Sequence, residues 1–568
     1  MISWSQRSCN RCSTTVLMND DVTLGPTPLC VGLTSNLRSP PVSYRVGVPS
    51  LNTRTTDSAM YGQKPLIPYD GFPVRCLLIT LFFRLVDLVW VKGSYVPDEY
   101  WQSLEVAHRQ AFGFGFLTWE WVNGVRSYLH PGMFAALYRL LGWAQIDTPE
   151  LVVFAPRLLQ ALISALGDVY FLRWVAERRN GQYGWAFLSW ITCTFVSYCS
   201  TRTLSNTLEM NLTTVALYYY PWTPKTGSSL FVLLVTLVCF IRPTAVVTWL
   251  PLVLTNIFTD KSPLLYFLTS YLPLALVVSM ACVGFDSFMY GTLTITPWNF
   301  FKFNILQNIG SFYGTHDPVW YLYCGLPVVL GLHTVPFLFA VFKTVKRLRF
   351  LKYDVEVQLT AVVLWSVFLF SLCPHKEFRF LLPLVPMMIY LSSSVLSRWS
   401  SSTSYTWLYT VGTIIISVHT VALIYLGQFH QMGTLDTVNR LGAMARNNTK
   451  ADILYLAPCH TFPGYSHLHT NVSTRHLTCK PNLLGVKNYV DEADLFYKEP
   501  VGWLKREFAS SRPCTLPTHI VKFDRLNITN YLFSNNFTLV GTLFHSYYTM
   551  DDRVGENVMI YQRKGPKC

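Results

Sequence analysis

The sequence predicts an all-α polytopic membrane protein, because its composition is apolar and its long apolar runs recur. Of 568 residues, 51% are hydrophobic and only 13% are charged, and the mean hydropathy is +0.29. Average soluble domains carry about 25% charged residues. The composition excludes a disordered or fibrous chain and argues against a soluble nucleic-acid-binding protein. We attribute the net charge of +14 to basic residues on the cytosolic side of a membrane.

Residues 1–70 differ from the rest of the chain. They are rich in Ser, Thr, Asn and Pro and contain no sustained apolar run. Such a segment buries too little apolar surface to fold, so we predict a disordered cytosolic leader. It lacks the basic and apolar regions of a secretory signal peptide. The first membrane span is therefore expected to act as the targeting signal.

Eleven apolar runs follow the leader and are predicted to cross the membrane, since a span needs about 20 mostly apolar residues. The runs are 74–92, 151–176, 183–200, 203–221, 229–241, 244–258, 263–283, 319–345, 355–373, 378–397 and 405–427. Arg242 and Pro243 interrupt 229–258, which predicts a hairpin of two short helices. The run 128–145 contains Pro131 and Arg139, so we predict an interfacial helix there.

Basic residues orient the predicted spans. One cluster comprises Arg173, Arg178 and Arg179, and a second comprises Lys343, Lys346, Arg347, Arg349 and Lys352. Both are expected to lie in the cytosol. Counting spans from these clusters places the large first loop 93–150, the loop 284–318 and the segment 428–568 across the membrane in the lumen. We expect the segment 428–568 to have mixed secondary structure.

Glycosylation sequons agree with this orientation. The sequons at Asn447, Asn471, Asn527 and Asn536 all lie in 428–568, and the remaining one, at Asn211, lies inside a predicted span. Sequons are modified in the secretory lumen, so these four asparagines are predicted glycosylation sites. An oxidising lumen also permits a disulfide between Cys459 and Cys479.

The first predicted lumenal loop begins with two carboxylates, in Val96-Pro-Asp-Glu-Tyr-Trp-Gln102. Asp98 and Glu99 follow the first span by a few residues, so they are expected near the membrane surface. A carboxylate there suits base chemistry on a lipid-borne substrate, because desolvation and neighbouring charges tune its pKa. The alternative is an acidic first turn of a helix, which has a purely structural role.

Other ionisable residues sit at or inside predicted spans. In His375-Lys-Glu-Phe-Arg-Phe380, Lys376 and Arg379 are candidates for holding a phosphate, and snorkelling at the interface is the alternative. Arg202 and Glu209 lie seven residues apart and are predicted to share a helix face. An intramembrane carboxylate indicates function or a structural ion pair, and Arg242 is a third basic candidate.

Several motifs are absent from the sequence. It contains no Walker A motif, no complete Gly-x-Gly-x-x-Gly, no Asp-x-Asp and no ligand set at metal spacing. We therefore expect no metal and no cofactor, and a donor other than a soluble nucleotide sugar if the protein is a transferase.

Three motifs together resemble one family. Pro97-Asp-Glu-Tyr-Trp-Gln102, Thr118-Trp-Glu-Trp121 with Arg126-Ser-Tyr128, and His375-Lys-Glu-Phe-Arg-Phe380 resemble the family 22 mannosyltransferases of the GT-C class, which act in the endoplasmic reticulum membrane. The segments 458–469 and 491–497 resemble the members that add the third mannose of the glycosylphosphatidylinositol (GPI) core in α1,2 linkage. The resemblance covers about residues 74–510 and makes 71–427 the catalytic membrane domain.

The resemblance implies a donor, an acceptor and a mechanism. The donor would be dolichyl-phosphate mannose, and the acceptor would be the GPI precursor glycolipid. Transfer would invert the anomeric centre, with Asp98 as the base and Glu99 as the alternative or partner. The implied substrate-binding residues are His375, Lys376, Arg379, Arg202, Glu209, Arg126, Trp119, Trp121 and Tyr128, the aromatic ones by stacking on sugars or else as interfacial anchors.

Two other functions stay open from the sequence. One is a related lumenal mannosyltransferase, which acts on the N-glycan precursor or adds the fourth GPI mannose. The other is a secondary transporter, in which broken helices and intramembrane charges mark a substrate path. Inverted repeats are common in transporters, and this sequence shows none.

Overall fold

The computed structural model describes residues 72–222, 229–347, 354–446, 450–509, 516–549 and 551–564. The predicted leader 1–70 and the sequon residue Asn447 lie outside the described residues, as do Arg349 and Lys352 of the second basic cluster.

Each of the eleven predicted spans coincides with helical structure. The helices are Phe72–Trp90, Pro149–Arg178, Gly184–Thr192 with Thr194–Ser200, Ser205–Tyr219, Ser229–Ile241, Ala245–Ile257, Pro263–Tyr290, Tyr321–Val345, Val355–Leu372, Phe378–Ser401 and Tyr405–Gln428. Polar caps set several starts: Thr148 Oγ1 accepts from Leu151 N, and Asp354 accepts from the N–H groups of Glu356 and Val357.

Six helices in the described part of the chain are long and apolar enough to cross a membrane, and Ser229–Ile241 and Ala245–Ile257 are shorter apolar helices. The break between these two falls at Arg242-Pro243, which confirms the predicted pair of short helices. The count of eleven crossings and the orientation stay predictions.

A buried ionic cluster joins the first two long helices. Arg84, fully buried, donates through Nε and Nη2 to Asp168, at 2.7 and 3.1 Å, and through Nη1 to Asp87 at 2.7 Å. Trp190 Nε1 also donates to Asp168, and Ser200 Oγ donates to Asp87. Charges in an apolar interior persist only when paired. The cluster therefore fixes the helix that leads into the Asp98 loop.

Four shorter helical segments follow in residues 100–143: Tyr100–Leu104, which is π-helical, Glu105–Phe112, Trp119–Val122 and Leu129–Trp143. The last confirms the predicted helix over 128–145. Residues 296–313 form Thr296–Phe301, Lys302–Leu306 and Ile309–Tyr313.

The segment after residue 428 combines helices with a five-stranded sheet. Its strands are β1 (Asp452–Leu456), β2 (Ser473–His476), β3 (His519–Phe523), β4 (Phe537–Phe544) and β5 (Asn557–Arg563), and the sheet order is β2-β1-β3-β5-β4. The first three strands are parallel to one another, and β5 pairs antiparallel with β3 and β4. Its helices are Gly433–Arg446, Tyr465–Leu468, Glu492–Lys498, Pro500–Ala509 and Thr529–Ser534.

Both faces of this sheet are covered. Helix Gly433–Arg446 packs on one face, and the helices of 492–509 pack on the other together with Trp119, Val125 and Tyr313. The predicted disulfide between Cys459 and Cys479 is present. The sheet therefore packs directly against the segment that carries Asp98.

Candidate active site

Asp98 and Glu99 occupy the first turn of the helical segment that begins after Pro97. The carbonyl of Pro97 accepts from the N–H groups of Tyr100 and Trp101, both at 3.0 Å. Proline fixes φ and is favoured at the start of a helix. The two carboxylates are only 5% and 2% exposed. They lie inside the protein, where charge partners decide their chemistry.

Asp98 belongs to a chain of charged groups that reaches across the fold. Arg379 Nη2 lies 2.5 Å from Asp98 Oδ2. The same guanidinium binds Glu377 through two hydrogen bonds of 2.6 Å, and Glu377 contacts His375 Nε2 at 3.0 Å. Burial alone would raise the pKa of Glu377, but Arg379 and His375 hold it well below its usual range. Glu377 thus anchors Arg379 in place.

Asp98 retains hydrogen-bonding capacity in this arrangement. Two N–H groups of Arg379 bind Glu377, and its Nη2 also lies 2.5 Å from Oδ2 of Asp98. A carboxylate has about four acceptor sites, so this one contact leaves others on Asp98 open. A buried carboxylate that is charge-compensated but still able to accept a hydrogen bond suits a general base.

Glu99 is held differently. Its Oε2 accepts from Arg202 Nη1 at 2.8 Å. Arg202 also donates to the carbonyls of Gly93 and Tyr198 and lies 4.1 Å from the centre of the Tyr198 ring. These contacts fasten the loop before Asp98 and bind each nitrogen of the Arg202 guanidinium to a protein acceptor.

Glu209 pairs with Arg242 rather than with Arg202. Helix Ser205–Tyr219 begins after Arg202, so the predicted shared helix face of Arg202 and Glu209 is wrong. Arg242 Nε lies 3.0 Å from Glu209 Oε2, and its Nη1 donates to Ser205. Arg242 is also within the electrostatic reach of Arg126, Arg379 and Asp98. The break between the two short helices therefore brings a second arginine towards the Asp98 centre.

Lys376 is buried but has backbone partners. Its Nζ donates to the carbonyls of Cys373 and His316, at 2.6 and 3.2 Å. Burial lowers the pKa of Lys376 from its usual value. Since carbonyl oxygens do not neutralise an ammonium group, Lys376 is suited to compensate an incoming anion.

The predicted aromatic residues are buried in two clusters. Trp119 donates through Nε1 to the hydroxyl of Tyr313 at 2.7 Å and packs with the core of the sheet. Trp121 and Tyr128 lie with ring centres 4.8 Å apart, and Tyr128 packs on Tyr290. Their burial (2–8% exposed) separates them from interfacial anchors, which face lipid headgroups.

Arg126 binds a carboxylate that we did not single out from the sequence. Its Nε and Nη2 contact Glu120 Oε1 at 3.2 and 2.7 Å, and Gln102 donates to the other oxygen of Glu120. Glu120 and Glu377 both lie within the motifs that carry the resemblance. The available signal was a carboxylate between two tryptophans for Glu120 and between a lysine and a phenylalanine for Glu377.

Glu105 joins the Asp98 segment to the segment after residue 428. Its carboxylate accepts from the N–H groups of Gly464, Tyr465 and Ser466, at 3.0, 3.1 and 2.8 Å. Burial raises the pKa of Glu105, and the three donors oppose this effect. In the sequence, Glu99, Gln102 and Glu105 recur at helical spacing, but spacing alone gave no partner for Glu105.

The chain matches the model of the Alg9-like mannosyltransferase family over residues 75–469. The chain belongs to this family. A Drosophila melanogaster member named GPI mannosyltransferase 3 is 41% identical over 482 residues, 84% of each chain. A Mus musculus member named GPI alpha-1,2-mannosyltransferase 3 is 37% identical over 517 residues, 90% of this chain and 92% of that one.

Membership of the Alg9-like family makes this chain a glycosyltransferase. The crystal structure of ArnT from Cupriavidus metallidurans bound to undecaprenyl phosphate aligns with a TM-score of 0.55 at 12% identity, over 87% of this chain and 98% of that one. The two share a fold, which supports a multi-pass membrane protein of the GT-C type.

Proposed function

We propose that this protein transfers mannose from dolichyl-phosphate mannose to the GPI precursor and adds its third mannose in α1,2 linkage. The observation that carries the proposal is Asp98, buried beside Arg379 with carboxylate acceptor sites left for a substrate hydroxyl. The names of relatives that cover most of the chain support the GPI acceptor and the α1,2 linkage.

Asp98 is the proposed general base. Inverting transfer turns a β-linked donor into an α-linked product, and it needs one carboxylate to deprotonate the acceptor hydroxyl during in-line attack. Arg379 places a positive charge 2.5 Å from Oδ2 of Asp98, and the carboxylate keeps further acceptor sites for the hydroxyl. Glu99, tied to Arg202 at 2.8 Å, is proposed to hold the loop and stays the alternative base.

Basic side chains are proposed to bind the phosphate of the donor. Negative charge grows on that phosphate as the mannose leaves, and preorganised cations stabilise it. Arg379 and Arg242 are candidates because Asp98 lies within their electrostatic reach, and Lys376 is a candidate because it is a buried ammonium group in the same motif as Arg379. His375 acts through Glu377, and Arg202 is assigned to positioning because each of its nitrogens binds a protein acceptor.

The aromatic residues and the remaining polar candidates are proposed to shape the site. Trp119, Trp121 and Tyr128 are proposed to stack on the sugar through any face of the aromatic ring that is open to the substrate. Arg126 and Glu209 are held in ion pairs, so we propose that they position Glu120 and Arg242.

Transfer is expected to need no divalent metal, because the donor phosphate can be neutralised by lysine and arginine. Activity of purified protein should persist in EDTA, measured as the transfer of radiolabelled mannose. A complete loss of activity that magnesium or manganese restores would contradict this expectation.

We propose that the protein lies in the endoplasmic reticulum membrane with its active site and residues 428–568 in the lumen. The described sequon residues Asn471, Asn527 and Asn536 are exposed, as glycan attachment requires. Endoglycosidase treatment should increase gel mobility, and Asn→Gln substitution at modified sites should remove part of the shift. Digestion of this segment from the cytosolic side of intact microsomes, without any glycan, would reverse the topology.

Complementation tests the assignment among related enzymes. Cells lacking the third GPI mannosyltransferase should regain surface GPI-anchored proteins and lose the accumulated two-mannose intermediate. Rescue only of cells lacking the fourth-mannose enzyme or an N-glycan mannosyltransferase would favour the related activities. No rescue, with no consumption of dolichyl-phosphate mannose by purified protein, would contradict the proposal.

A further inference from the structure

A small cavity with a few polar groups in its wall lies beside the loop that leads into Asp98. Its volume is about 40 Å³, and about 10–15 Å³ by the same measure is enough for one water. It therefore admits a few waters or the hydroxyl groups of a larger ligand. The lining residues include Ser94, Tyr95, Pro97, Thr434, His545 and Tyr548.

Two buried side chains in the wall each have a polar atom that no described residue hydrogen-bonds. Thr434 is 1% exposed and His545 is 3% exposed. The hydroxyl of Thr434 and Nδ1 of His545 make no hydrogen bond to any described residue. Buried polar groups are nearly always hydrogen-bonded, so a molecule other than the protein should satisfy these two.

The cavity is suited to a neutral, hydroxyl-rich ligand. Burial lowers the pKa of His545 to about 3, so its imidazole is neutral and offers one donor and one acceptor. The wall contains no described lysine or arginine, and its one carboxylate, Asp551, is bound by Arg553. A phosphate would therefore find no countercharge here.

An aromatic residue stands at the edge of the cavity. Tyr548 is 57% exposed although it lines the wall, so part of its side chain faces the solvent. Ligand sites commonly combine apolar or aromatic surfaces with a few placed polar groups. A pyranose ring that packs on Tyr548 could direct its hydroxyls towards Thr434 and His545.

The cavity lies beside the segment that carries Asp98. Ser94, Tyr95 and Pro97 line it and precede Asp98 in the chain, and Tyr95 is within the electrostatic reach of Glu377 and Arg379. The opposite wall comes from the segment after residue 428. A sugar held here would therefore lie near the chain segment that bears the proposed base.

We propose that this cavity is a subsite for the neutral mannose portion of the acceptor, with Thr434 and His545 binding sugar hydroxyls and Tyr548 packing on the ring. The proposal rests on the proposed function. We assign the acceptor, because the charged end of the donor requires cations that this cavity lacks. Its role is to orient the acceptor so that the attacking hydroxyl reaches Asp98.

The test compares two threonines on the same helix, Gly433–Arg446. Thr437 is also fully buried with a hydroxyl that bonds no described residue, but it is not part of the cavity wall. Purified full-length Thr434→Val should show a KM for the two-mannose GPI precursor raised about 3–10-fold, the usual effect of one lost hydrogen bond. Its KM for dolichyl-phosphate mannose should stay unchanged, and Thr437→Val should leave both KM values unchanged.

A second pair does not depend on a buried substitution. Tyr548→Ala should also raise the acceptor KM, whereas Tyr547→Ala, at a neighbouring residue that is 67% exposed and outside the wall, should not. Equal KM values for both members of each pair would overturn the subsite. A raised donor KM with an unchanged acceptor KM would assign the cavity to the donor and also overturn it. Failure of the wild-type protein to transfer mannose would instead contradict the proposed function.

Discussion

Asp98→Asn is expected to lower kcat by about 10²–10⁴-fold, the usual contribution of a general base, while the protein accumulates normally in the membrane. Asparagine keeps the volume of the side chain but cannot take a proton from the acceptor hydroxyl. In cells, the two-mannose GPI intermediate should accumulate. The measurement is single-turnover transfer by purified protein, normalised to the monodisperse fraction in size-exclusion chromatography.

Two control variants make this result specific. Asp147→Asn changes an aspartate of the same loop that lies 3.6 Å from His469 and is 34% exposed, and it should retain activity. Glu99→Gln should reduce the amount of folded protein more than the rate per folded molecule, because it leaves Arg202 buried without its partner. Full activity of Asp98→Asn together with an inactive but folded Glu99→Gln would move the base to Glu99.

The sequence predicted the helices well, because a span is specified by local composition. In lipid, the backbone N–H and C=O groups of an apolar run must hydrogen-bond within the segment, which requires a helix. Each run from 74–92 to 405–427 coincides with helical structure. Even the break at Arg242-Pro243 could be predicted, since proline removes a helical donor wherever it stands.

Ion-pair partners could not be predicted in the same way. The sequence grouped Arg202 with Glu209 by spacing, but a break in the helix turns Arg202 towards Glu99, and Glu209 binds Arg242 from another helix. The contact between Asp98 and Arg379 likewise joins residues that are far apart in the chain. Such pairs depend on the tertiary fold, and one sequence carries only local periodicity.

The sheet after residue 428 was also beyond prediction. Strands β1 and β2 have five and four residues, too few for an alternating pattern to stand out. The parallel pairing of β1 with β3 joins segments separated by several helices. The wall of the cavity beside Asp98 likewise combines the first loop with residues after 428 that are distant in the chain.

Glu105→Ala is expected to loosen the contact between these two segments. The substitution leaves three buried N–H groups, of Gly464, Tyr465 and Ser466, without an acceptor. Each buried unsatisfied group costs about 1–3 kcal/mol, so local opening should become easier by about 3 kcal/mol or more. Hydrogen exchange of peptides covering 464–476 should accelerate by about 10²-fold or more, since about 1.4 kcal/mol corresponds to a factor of ten.

The size of the effect should depend on the acceptor that remains at position 105. Glu105→Gln retains one carbonyl oxygen and removes a carboxylate whose pKa is raised by burial, so exchange should rise much less than in Glu105→Ala. Glu150→Ala, at an exposed glutamate that begins the next long helix, should leave exchange in 464–476 unchanged. The carbonyl of Phe462 also accepts a hydrogen bond from the Trp101 indole at 3.1 Å. Equal hydrogen-exchange protection of 464–476 in Glu105→Ala and the wild type would contradict the prediction. It would show that packing around Trp101 and Phe462 holds the segments together without the carboxylate.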